Sequence, residues 1–154
     1  MFATRRLLNE IKALGKELPE NLHLIQTSEL NKLYVDMKVL NNPIYSPEDI
    51  YRLQFIIGDE YPFESPQVQF ILSRDDNITK IPIHPHIYSN GHICLDILGD
   101  KWSPVQNILS TSLSIHSMLC NNDRNERPPD DENYISHAPS NPKKSSFYYH
   151  DDNV

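Results

Sequence analysis

The chain has 154 residues, 38% of them apolar, enough for one domain around one substantial core. A formal net charge of -7 and a pI near 5.4 argue against a general nucleic-acid binder, which needs a basic face to replace phosphate counterions. Only two cysteines occur, Cys94 and Cys120, at no framework spacing, and no segment approaches the roughly 20 apolar residues that span a bilayer. The expectation is free thiols, protein partners, no membrane and no nucleic acid, and a cytoplasmic or nuclear setting.

Leu7, Leu8, Ile11 and Leu14 fall on one helical face, so residues 5–14 are expected to form an amphipathic helix with Thr4 as N-cap and Gly15 as its stop. Arg5, Arg6 and Lys12 then lie outside the apolar stripe. Period-two alternation follows in Leu33, Val35, Met37 and Val39, in Tyr51, Leu53, Phe55 and Ile57, and in Val68, Phe70 and Leu72. With a weaker strand over Leu22 to Ile25, this reads as an antiparallel meander with one face on the core.

Between the last strand and the next helix runs HPHIYSNGHICLDIL, from His84 to Leu98. It places Cys94 just beyond a tight turn, for which Asn90-Gly91 suits positive φ, in a loop rich in histidine and asparagine. A thiolate can carry an acyl group as a thioester, and polar donors nearby can steady the reacting carbonyl, so acyl transfer through Cys94 is the chemistry to test. The plainer alternative is a small buried hydrophobe between Ile93 and Leu95. A zinc site from His84, His86, His92 and Cys94 is disfavoured, because no second cysteine pair supports it and a metal-bound thiolate could not serve as an acceptor. Ser103 and Pro104 are expected to start a helix with apolar positions Val105, Ile108, Leu109, Ile115 and Leu119. Beyond it, NNDRNERPPDDEN and HAPSNPKKSSFYYHDDNV show no sustained period. The expected division is a domain over 4–135 and a flexible or irregular tail over 136–154.

Five features in order and spacing give the chain a resemblance to a known family: the N-terminal helix and four-stranded meander, Tyr61-Pro62-Phe63 followed by Ser65-Pro66, an HP-x motif, NG-x-x-C, and Trp102-Ser103-Pro104 eight residues after the cysteine. It resembles the ubiquitin-conjugating enzymes over about residues 4–120. The resemblance implies their α+β fold, here a four-stranded antiparallel meander with an N-terminal and a central helix and an atypical C-terminal tail. Two departures narrow it: His84-Pro85-His86 stands where the family has HPN, and the two C-terminal helices give way to a tail with PPDD, NPKK and YYHDD. Both are similar to the W-type branch, which joins a single ubiquitin to the α-amino group of protein N-termini.

On this resemblance Cys94 accepts ubiquitin as a thioester from the activating enzyme and passes it to an amine, with or without a ligase. No metal or organic cofactor is implied, and ATP is spent by the activating enzyme, so a phosphate-binding glycine loop is not expected here. His86 takes the place of an asparagine that steadies the developing oxyanion or shapes the loop, and an imidazole can donate in either task. Among Asp96, Glu126, Asp130 and Asp131, the acid that assists the amine is assigned to Asp130, which follows Pro128-Pro129 where the family's chain returns toward the cysteine. Phe63, Ser103, Pro104 and Val105, with Arg5 and Arg6, match positions that bind RING or U-box ligases, and the first helix also meets the activating enzyme. Core packing for Phe63, a helix start for Pro104 and a solvated face for the arginines are the alternatives.

The amine's own chemistry bears on substrate. At pH 7.4 roughly a fifth to a third of an α-amine is neutral but only about 0.1% of a lysine, so an N-terminal substrate needs less help from a base. Substrates with accessible N-termini are therefore expected. The competing readings are a lysine-directed enzyme, one charged with another ubiquitin-like modifier, and a non-catalytic scaffold.

Overall fold

Alternating apolar residues build the sheet. A computed structural model describes residues 2–145, with side chains from residue 4 onward. Strands β1 (Leu22–Gln26), β2 (Lys32–Met37), β3 (Tyr51–Ile56) and β4 (Gln67–Ile71) pair antiparallel in the order β1-β2-β3-β4. The register aligns Leu24, Val35, Leu53 and Phe70 across all four strands, so one face carries a continuous apolar row into the core. On β3 Arg52 is buried too. Its guanidinium meets Asp36 through two bonds of 2.7 and 2.8 Å and Asp76 at 2.6 Å, and lies 4.9 Å from the centre of the Tyr34 ring.

Helix α1 spans Phe2–Glu17, longer at both ends than its periodicity predicts. Thr4 lies inside the helix, since no glycine or proline ahead of it interrupts the backbone. Gly15 is tolerated within the last turn, and the stop comes with Pro19, which cannot continue the ladder. Leu7 and Leu14 are buried, with Ile11 and Leu18 packed beside them, whereas Leu8 is exposed.

Helix α2 (Ile108–Cys120) lays Ile108, Ile115, Met118 and Leu119 on the sheet. It begins later than Ser103-Pro104 suggests. Asn107 is the N-cap: its side chain accepts from Ser110 N at 2.7 Å, and Ser110 Oγ accepts from Asn107 N at 2.9 Å. Val105 therefore belongs to the preceding turn, outside the helix. At the other end, Asn42 Nδ2 donates to the carbonyls of Leu119, Cys120 and Asn122.

The segment read as aperiodic carries helix α3 (Asp131–His137) and a 3-10 turn at Pro142–Lys144. Seven residues with none buried leave no apolar stripe for a periodicity to reveal. Polar bonds hold the segment instead: Arg127 donates to the carbonyls of Pro82, Ile87 and Ile81, and Lys143 Nζ to Ser65 O at 2.7 Å. The YYHDD part of the expected tail lies outside the described residues. No helix among the described residues is long and apolar enough to cross a membrane.

Candidate active site

The loop from His84 to Cys94 is set by its own backbone. His84 is buried and its Nδ1 accepts the His86 N–H at 2.9 Å, while His86 O accepts the Cys94 N–H at 2.8 Å. The carbonyl of His86 thus fixes Cys94 whatever its side chain does. Burial, reinforced by the neighbouring His86, pushes the His84 imidazole down to about 4, so at neutral pH its ring is the uncharged acceptor the loop requires.

A tight turn closes the other limb. Gly91 N donates to Tyr88 O, Tyr88 N to His92 O, and His92 N to Asn90 Oδ1 at 3.1 Å. Gly91 has φ +94°, and its carbonyl accepts from Phe70 N at 2.9 Å, docking the turn on β4. A Cβ there would lie 1.9 Å from Phe70 O, so the site needs glycine for conformation and for close approach alike.

Cys94 is 5% exposed. Burial pushes its thiol up to about 11, with the charges of Asp130 and Asp96 adding to the shift, so the resting group is the thiol. Tyr88 is the link to Asp130: its hydroxyl donates to the carboxylate oxygens at 3.1 and 3.3 Å. Of the four acids weighed from sequence, Asp130 and Asp96 bear on the thiol. Asp131 Oδ1 accepts from Ser89 N at 2.7 Å, and Glu126 faces Arg124 at 3.7 Å.

Tyr88, Tyr134 and Ser145 carried no sequence signal of a role at this site. Tyr134, on α3, stacks on Tyr88 with ring centres 3.9 Å apart and planes 22° from parallel. Its hydroxyl lies 2.7 Å from His92 Nδ1 and 2.6 Å from Ser145 Oγ. A tyrosine far along the chain in an aperiodic stretch has nothing local to single it out. Among the described residues no group of three or more histidine, cysteine or acidic side chains is arranged to hold a metal ion.

The model of a family described as ubiquitin-conjugating enzyme matches residues 6–147. The chain belongs to the ubiquitin-conjugating enzyme family. It is 42% identical over 155 residues to ubiquitin-conjugating enzyme E2 W of Caenorhabditis elegans, covering 99% of this chain and 97% of that one. It is also 42% identical over 151 residues to probable ubiquitin-conjugating enzyme E2 W-A of Danio rerio, covering 96% and 95%. Among solved structures, the ubiquitin conjugating enzyme E2 UbcA1 from Agrocybe aegerita superposes with a TM-score of 0.83 at 37% identity, covering 92% of this chain and 98% of that one. The chain is a ubiquitin transferase of the conjugating class, a class that works with ubiquitin, an activating enzyme and ligases.

The positions that resemble the family's ligase surface come together at one end of α1. Phe63 is 68% and Val105 86% exposed. Trp102 Nε1 donates to Pro62 O at 2.8 Å, joining the Phe63 loop to the 103–106 turn. Arg6 is no solvated arginine: it donates to Pro104 O at 3.0 Å and Gln106 O at 2.9 Å, pairs with Glu10, and lies 5.5 Å from the centre of the Tyr61 ring. Glu10 in turn accepts from the Tyr61 hydroxyl and from Ile108 N. Ser103 is half-buried, its carbonyl accepting from Gln106 N, while Pro104 and Arg5 are exposed.

Proposed function

We propose that Cys94 accepts ubiquitin as a thioester from the activating enzyme and delivers it to the α-amino group of a protein N-terminus. The observation that carries this reading is the Tyr88–Asp130 pair beside Cys94. The carboxylate whose charge bears on the thiol is held by a hydroxyl, which suits it to orient an amine that is already partly neutral. The 42% identity to E2 W proteins supports the choice of α-amine over lysine.

In transfer the amine nitrogen attacks the thioester carbonyl, the carbon–sulfur bond breaks and an amide forms. The sulfur leaves as the Cys94 thiolate and takes up a proton, and the proton lost by the amine passes to Asp130 or solvent. His86 holds the loop through its carbonyl and offers an imidazole donor to the oxyanion. Phe63, Ser103, Pro104 and Val105 receive a RING or U-box ligase, and Arg5 meets the activating enzyme directly, with Arg6 shaping the turn.

The test is discharge of ubiquitin-loaded protein onto two matched peptides, one with a free N-terminus and no lysine, the other N-acetylated with one lysine. Transfer is expected to the free N-terminus alone, and Cys94→Ala should form no thioester. Transfer mainly to the lysine would overturn the α-amine assignment. Failure to load ubiquitin under conditions that charge a control would point to a scaffold or another modifier.

A further inference from the structure

We propose that His92, Tyr134 and Ser145 form a latch that fastens residues 131–145 across the active-site loop, and that Tyr134 is thereby a positioning residue for ubiquitin transfer. The proposal rests on the Cys94 thioester reading but not on which amine is used.

His92, Tyr134 and Ser145 form one hydrogen-bonded chain. His92 is buried, and burial lowers its imidazole pKa, so the ring is neutral and carries one N–H. His92 Nδ1 lies 2.7 Å from the Tyr134 oxygen, within hydrogen-bond distance. The same Tyr134 oxygen lies 2.6 Å from Ser145 Oγ, so one hydroxyl bridges His92 and Ser145. One buried histidine is therefore tied through the Tyr134 hydroxyl to Ser145, linking the active-site loop to both α3 and the end of the segment.

What the latch sets is the chemistry beside it. The Tyr134 ring lies flat on Tyr88, whose hydroxyl holds the Asp130 carboxylate, so a shift of α3 moves the carboxylate relative to Cys94. Asp131, one residue on, anchors the same end of the helix to Ser89 N. At the far end of the segment Pro142, Lys143 and Ser145 wall one side of a cleft of about 400 Å³. Ile93 and Leu95, the chain neighbours of Cys94, line the same cleft. Attack by an amine on a thioester carbonyl carried by a buried sulfur needs these walls in register, whereas a displaced segment presents the same groups at the wrong distance.

Tyr134→Phe keeps the ring stack and removes the hydroxyl shared by His92 and Ser145. Ser145→Ala removes only the outer bond, and Ser145→Thr keeps it. Two hydrogen bonds at about 1 kcal/mol each correspond to about thirtyfold, and one to about fivefold. Single-turnover discharge of the loaded Tyr134→Phe protein is expected to slow about thirtyfold, and of Ser145→Ala about fivefold, with thioester formation within about twofold of wild type. Ser145→Thr should restore discharge, and amide exchange over 134–145 should quicken in the two slow variants. Discharge unchanged in both, loading reduced as much as discharge, or Ser145→Thr as slow as Ser145→Ala would each overturn the latch. Failure of the wild-type protein itself to load would instead overturn the thioester reading on which it rests.

Discussion

His84 illustrates how one side chain ties the active-site loop to solution pH. It is buried, its Nδ1 accepts the His86 N–H, and its pKa is pushed down to about 4 from an unfolded value near 6.5. Between those values the unfolded chain binds a proton that the folded chain refuses, so stability falls as pH drops from about 6.5 to about 4. The contribution is on the order of 3 kcal/mol across that window, and His92, also lowered by burial, acts in the same direction. Asp76, held below the usual carboxylate range by Arg52, loses its own contribution only below about pH 3.8, outside the window. His84→Asn places an amide oxygen near the Nδ1 position and removes the titration. Its urea midpoint, measured from pH 7.5 to 4.5, should fall less steeply than that of wild type, and parallel curves would assign the slope elsewhere. At this scale the sequence was most legible where chemistry is local. Cys94 and Asn90-Gly91 announce themselves by their neighbours, whereas the tyrosine pair and Asp131 acquire meaning only when α3 folds back on the loop.

Among the elements, the strands were read within one or two residues because alternation over a half-buried sheet is a strong, short-period signal. Helix ends were less legible, since they depend on caps. Asn107 with Ser110 makes a reciprocal box in which neither residue is the glutamate that usually marks one, and Ser103-Pro104 offered a more familiar start a turn earlier. The consequence of the later start is that 103–106 stays a turn, tied to α1 by Arg6 and able to present Val105 outward. Asn107→Ala should cost about 1 kcal/mol in denaturant unfolding at unchanged m-value, and Asn107→Asp should recover most of it. A loss below about 0.3 kcal/mol would mean that Glu10, which already accepts from Ile108 N, is the effective cap.

At the scale of the whole molecule, Phe63 and Val105 are the two most exposed of the large apolar residues among those described. Phe63 and Val105 lie on separate loops, yet each loop is braced from within. Trp102 holds the Pro62 carbonyl, Arg6 holds those of Pro104 and Gln106, and Glu10 joins Tyr61 to the start of α2. A rigid frame around solvent-facing hydrophobes is costly for a monomer to display and is economical for a partner to bind, because little ordering remains to be done on contact. If this end of the molecule receives the ligase, truncating Phe63 should separate binding from folding. Phe63→Ala should shift unfolding stability by no more than about 0.5 kcal/mol, since most of the ring is already in water. Discharge stimulated by a RING or U-box ligase that accelerates the wild-type protein should fall about tenfold, while ligase-free discharge stays within about twofold. Equal loss of both rates would place Phe63 in the catalytic architecture, and undiminished stimulation would move the ligase surface away from this end of α1.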